Sequence, residues 1–125
     1  MEKILVIDDE RQTVELVADF LSSRGYSAIK ALDGNEGLNK FDSEKPDMVI
    51  CDIRMPKMDG FGFLKEVRNS RKWVPVIIIS ALNEPSNIFK GYELEADYYI
   101  TKPINLEDLL KAVRIMASLI PLRKA

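Results

Sequence analysis

Residues 48–60, MVICDIRMPKMDG, decide how this chain is read, because an apolar run stops there at a carboxylate. Val49, Ile50 and Cys51 read as the end of a buried strand, so Asp52 sits at the rim of a sheet. Pro56 and the pair Asp59-Gly60 then make a tight loop, and Phe61, Leu64 and Val67 recur at helical spacing after it. The loop serves the aspartate.

The same design repeats on either side. Residues 3–7 give the first strand, in which Ile4, Leu5, Val6 and Ile7 are too continuously apolar for a sheet with one wet face, and it runs into Asp8, Asp9 and Glu10. Residues 12–24 switch to helical period, with Val14, Val17 and Leu21 on the inner face, Leu16 and Phe20 widening it, and Gly25 ending it. Residues 26–31 form a short strand, Asp33 caps a helix through Phe41, and residues 47–51 form the strand that delivers Asp52. Residues 74–79, with Pro75 at the strand's start, lead into Ser80-Ala81. A helix over 84–93, a fifth strand over 97–101 closed by Lys102-Pro103, and a helix from Leu106 towards Ser118 capped by Asn105 complete the pattern. Leu106, Leu109, Leu110 and Val113 mark that last helix's inward face.

Apolar strands alternating with helices predict an α/β fold: a doubly wound, five-stranded parallel sheet with helices on both faces and right-handed crossovers. At 125 residues the chain is one domain, large enough to fold without staples. No apolar run reaches the roughly 20 residues that span a bilayer, and the first strand follows Glu2 and Lys3 with no signal peptide before it. A cytoplasmic protein with no membrane partner is expected. Cys51 is the only cysteine and reads as a small buried hydrophobe, while the absence of histidine excludes histidine metal clusters and histidine-based triads. A formal charge of -2 is too balanced for an electrostatic grip on nucleic acid, and Arg68, Arg71 and Lys72 read as solvated surface.

In doubly wound sheets the functional crevice lies beyond the carboxyl ends of the strands. Asp8, Asp9 and Asp52 converge there if the first and third strands are neighbours. Carboxylates so close repel one another unless a cation or proton offsets the charge, and an oxygen-only donor set favours Mg²⁺, with Mn²⁺ as a substitute. Lys102 and the Ser80 hydroxyl would satisfy the oxygens of a phosphoryl group beside a carboxylate nucleophile.

These residues resemble the receiver domain of two-component response regulators. The resemblance rests on four ordered signatures: Asp8-Asp9 after ILVI, Asp52 followed by IRMPKMDG, Ser80-Ala81 after VIIIS, and Lys102-Pro103. It covers roughly residues 2 to 118. It implies the flavodoxin-like receiver fold with strand order 2-1-3-4-5, a receiver domain over 1–118, and a tail or linker stub over 119–125. Asp52 would be the phosphoacceptor, supplied by a sensor histidine kinase or histidine phosphotransfer protein, and the domain would catalyse its own phosphorylation and dephosphorylation. Asp9 and Asp52 would touch Mg²⁺ directly, Asp8 chiefly through water, and Arg54 through its backbone carbonyl. Ser80 and Lys102 would hold phosphoryl oxygens, with a cis Lys102-Pro103 bond. Ser80 and Tyr99 would form the conformational switch, changing a surface over parts of residues 86–117.

The implied output is a downstream protein or a linked effector domain, with a phosphorylation-dependent homodimer as a further expectation. Arg54 and Leu82 occupy positions that set phosphoryl lifetime in such domains. Glu95-Ala96 and Ile104 depart from the family's usual Gly-Ala and aromatic. Two other functions remain in view. An aspartyl-phosphate phosphatase would need a second acid two residues after its nucleophile, where Arg54 stands. A phosphorylation-independent binding module on the same fold would have no use for the charged crevice.

Overall fold

The computed structural model describes residues 2–55, 58–70, 73–81 and 96–124, with side chains to residue 120. The expected helix over 84–93, the positions Arg71, Lys72 and Leu82, and the Pro56 turn lie outside these residues. Five parallel strands, β1 (Lys3–Ile7), β2 (Ser27–Ala31), β3 (Met48–Asp52), β4 (Val76–Ser80) and β5 (Tyr98–Thr101), form one sheet in the order β2-β1-β3-β4-β5. The order is the expected one.

Alternation along each strand splits the core in two. Leu5, Ile7, Val49, Cys51, Val76 and Ile78 face one layer, packed by the helices α2 (Gly34–Glu44) and α3 (Gly60–Asn69) through Phe41, Phe63, Leu64 and Val67. Ile4, Val6, Met48, Ile50, Ile77 and Ile79 face the other layer. There α1 (Arg11–Ser23) contributes Val14, Val17 and Leu21, and the C-terminal helix (Leu106–Lys124) contributes Leu109, Val113 and Met116. Each such buried aliphatic side chain contributes about 1.5–3 kcal/mol of transfer free energy, so both helical layers are bound firmly to the sheet.

Caps set the helix starts. Asp33 accepts from Glu36 N at 2.7 Å, Asp59 from Gly62 N at 2.8 Å, and Asn105 from Asp108 N at 3.0 Å. Gly25, at φ +93°, takes the left-handed turn that ends α1.

Besides one-residue shifts at the ends of α1, β2 and β5, four details differ from the sequence expectation. Leu16 is 57% exposed and does not widen the inner face of α1, because Val14, Val17, Ala18 and Leu21 already fill it. β3 runs one residue later than expected and takes in Asp52, whose Cα registers with Ile79. β4 begins at Val76, leaving Pro75 outside, where it lacks an N–H but its carbonyl accepts from Val49 N at 3.0 Å. The C-terminal helix continues past Ser118 to Lys124, and Ile120 is buried against the second core layer.

Candidate functional site

β1, β3 and β4 all end at the same edge, and each end carries a buried polar side chain: Asp8, Asp52 and Ser80 are 3%, 5% and 1% exposed. The parallel register β1–β3–β4 brings these strand ends side by side, so residues 72 positions apart in sequence share one rim. α3 presses on this rim from beneath. Gly60 N donates to Ile53 O at 2.9 Å, and a Cβ on Gly60 would lie 2.5 Å from the Asp52 carbonyl oxygen.

Carboxylate oxygens of Asp8, Asp9 and Asp52 lie within 4.8 Å of one another, a group that could hold a metal ion. Asp9 is exposed, whereas Asp8 is doubly engaged: it accepts from Glu10 N at 2.9 Å and from Lys102 Nζ at 3.1 Å. Lys102 also lies 3.5 Å from Asp52 Oδ1 and 3.9 Å from Glu10 Oε1. Burial, reinforced by the charge of Asp8, pushes the Asp52 carboxyl up to about 6 even though Lys102 pulls it down. Burial works against the Lys102 ammonium too, but Asp52, Asp8 and Glu10 outweigh it and hold its pKa above the ordinary lysine value. Among the described residues the carboxylates here outnumber the Lys102 ammonium, which suits a divalent cation.

Arg54 joins Asp9, Glu10, Asp52, Ala81 and Lys102 around a cavity of about 250 Å³ at this rim. Tyr99 is half-buried against the α2–α3 core layer and shares a hydrogen bond with Ser80. Burial raises its phenol pKa, the Ser80 bond opposes the rise, and the Asp52 charge adds to it. Tyr98, on the opposite face, is 37% exposed. The Lys102-Pro103 bond is cis. Cys51 is fully buried, with its thiol pushed up mainly by burial, in keeping with a packing role. Sequence reasoning did not anticipate that Glu10 reaches Lys102; the signal was its place directly after Asp8-Asp9.

The family described as the response regulator receiver domain matches residues 4–114. The chain belongs to that family. The receiver domain is 42% identical over 113 residues to a probable transcriptional regulator ycf27 of Guillardia theta, covering 90% of this chain and 44% of that protein. It is 38% identical over 113 residues to the alkaline phosphatase synthesis transcriptional regulatory protein PhoP of Bacillus subtilis, 90% of this chain and 47% of that protein. The chain therefore spans about half the length of the curated relatives it matches. Among solved structures, the chemotaxis protein CheY4 of Vibrio cholerae superposes with a TM-score of 0.88 at 33% identity, over 93% of this chain and 98% of that one. A receiver domain is a phosphorylation-dependent signalling switch of two-component systems. Among the described residues no helix is long and apolar enough to cross a membrane.

Proposed function

We propose that Asp52 accepts a phosphoryl group from the phosphohistidine of a partner kinase or phosphotransfer protein. The observation that carries this is the Lys102 ammonium seated between Asp8 and Asp52 at a cavity where three carboxylates converge. One Asp52 oxygen forms the new P–O bond as the donor's P–N bond breaks and the imidazole keeps the electron pair. Lys102 then moves from carboxylate to phosphoryl oxygen, and Ser80 donates its hydroxyl to another.

Asp9, Asp52 and the Arg54 carbonyl would hold Mg²⁺, or Mn²⁺ in its place; both Asp8 oxygens already accept hydrogen bonds, which favours an indirect role for Asp8. When bound, the ion supplies the positive charge that lets these carboxylates and a phosphoryl group share one pocket. Withdrawal of Ser80 towards the phosphoryl group breaks its bond to Tyr99, which biases the ring and the surface of β5 and the C-terminal helix between two packings. That surface would meet a downstream protein, a linked effector domain after residues 119–125, or a second phosphorylated copy. The domain, over residues 1–118, would act in the cytoplasm.

Incubating the protein with Mg²⁺ and a small phosphodonor is expected to add one phosphoryl group by intact mass, lost on Asp52→Asn. Equal labelling of the Asn variant would overturn the assignment. Leu82, two residues past Ser80, has no group to orient a hydrolytic water. Leu82→Gln is therefore expected to shorten the phosphoryl half-life by up to about ten-fold, the scale of one hydrogen bond that orients the water; an unchanged decay in a radiolabel chase would count against it.

A further inference from the structure

We propose, resting on the phosphoacceptor reading above, that Glu10 sets which phosphodonors the site accepts, by disfavouring small donors that arrive as multiply charged anions. Lys102 is shared by three carboxylates, at 3.1 Å from Asp8, 3.5 Å from Asp52 and 3.9 Å from Glu10. The first two are buried. The Glu10 side chain is 68% exposed, so it stands on the solvent side of the lysine, at the opening of the cavity it lines with Asp9, Asp52 and Arg54.

Its backbone is held in place: Glu10 N donates to Asp8 Oδ1 at 2.9 Å, and Glu10 O accepts from Val14 N at 3.1 Å. At the N-cap of α1 a short polar side chain would normally accept from the first helical N–H groups, yet Glu10 makes no such bond and its carboxylate lies beside Lys102 instead. The position is used for charge at the mouth and not for capping.

That charge acts on the transfer itself. The P–O bond to Asp52 forms as the donor bond breaks, and the leaving group departs with the electron pair, taking up a proton from water when it is an amine. Phosphoryl oxygens that reach Lys102 enter the cavity that Glu10 lines. A unit charge about 6 Å away across a solvent-filled opening changes the encounter by about three-fold for each negative charge the donor carries. Acetyl phosphate carries more net negative charge at neutral pH than phosphoramidate, whose nitrogen is protonated and which therefore mimics the phosphohistidine of a protein donor more closely.

The test compares the apparent second-order labelling rate with these two donors, both with saturating Mg²⁺, at low and high ionic strength. Glu10→Gln is expected to raise the acetyl phosphate rate by several-fold more than the phosphoramidate rate, with the difference vanishing in roughly 1 M salt, where the Debye length falls to about 3 Å. Glu10→Asp, which keeps the charge, is expected to retain the wild-type donor ratio. A donor ratio and salt dependence unchanged in Glu10→Gln, with wild type labelled normally, would overturn this proposal alone. Failure of both donors to label wild type would overturn the phosphoacceptor reading and this proposal with it.

Discussion

At neutral pH and without divalent metal, Asp52→Asn is expected to make the fold more stable than wild type by about 2–3 kcal/mol. Asp52 lies at a strand end with a 5% exposed side chain, beside the buried Asp8, and its carboxyl is raised to about 6 by burial and by that neighbour. An aspartate in the unfolded chain titrates near pH 4, so the folded state holds the proton over a window where the unfolded state has lost it. The wild-type fold therefore loses stability as pH rises from about 4 to about 6, and a shift of about two units is worth about 3 kcal/mol before structural relaxation. Asparagine has nearly the same shape and no charge to bury, so the variant escapes that loss. Below about pH 4 the two proteins should converge. Urea unfolding in a chelating buffer at acid and neutral pH checks this; an Asn variant no more stable than wild type at neutral pH would show that Lys102 already neutralises the pair. Added Mg²⁺ is expected to narrow the gap by stabilising wild type alone, since a ligand that binds only the native state raises its stability.

How much of this was legible beforehand follows from the kind of signal each residue leaves. Parallel strands buried on both faces need unbroken apolar runs, and ILVI, MVIC and VIII cannot be mistaken for amphipathic surface strands. Asp8, Asp52 and Ser80 were visible as the residues that stop those runs. Lys102 was visible only through its Pro103 neighbour and the shared topology, because a lone lysine in a loop carries no pattern. Glu10 left less trace still: its role depends on a side chain turning away from the helix it precedes and towards a residue 92 positions later. Leu16 failed for the opposite reason. Helical spacing gives it an angle near the apolar stripe, but which residues at the stripe's margin are buried depends on how far α1 leans onto β1 and β2, a tertiary quantity. The end of the C-terminal helix was likewise misplaced because Pro121 argues locally for a stop, while Ile120 packs on the core and carries the helix past it.

The approach of α3 to the strand end that holds Asp52 makes Gly60→Ala strongly destabilising, with an expected loss of about 3 kcal/mol. Backbone conformation is not the reason, since Gly60 is not in the left-handed region. Space is. The added Cβ would meet the Asp52 carbonyl oxygen at 2.5 Å, the Ile53 Cα at 2.8 Å and the Asp52 carbonyl carbon at 3.1 Å. All three are backbone atoms, so no side chain can swing aside to relieve the contact. The helix start must move away from β3, straining the Gly60 N to Ile53 O bond of 2.9 Å and tilting the aspartate that lies next to it. Alanine's better helix propensity, worth at most about 1 kcal/mol, is too small to offset this. Gly62, two residues on in the same helix, is the internal control. Among the described residues a Cβ there meets side-chain atoms alone, Met58 Cγ at 3.3 Å and Asp59 Oδ1 at 3.5 Å, and its N–H can keep its bond to Asp59. Gly62→Ala is accordingly expected to be neutral or slightly stabilising. Chemical unfolding of the two variants, with the rate of phosphoryl uptake measured alongside, separates the cases: Gly60→Ala should lose both stability and uptake while Gly62→Ala keeps both. Equal stability of the two would mean that β3 and α3 can part without cost, and that the close approach of helix to strand does not hold Asp52 where it stands.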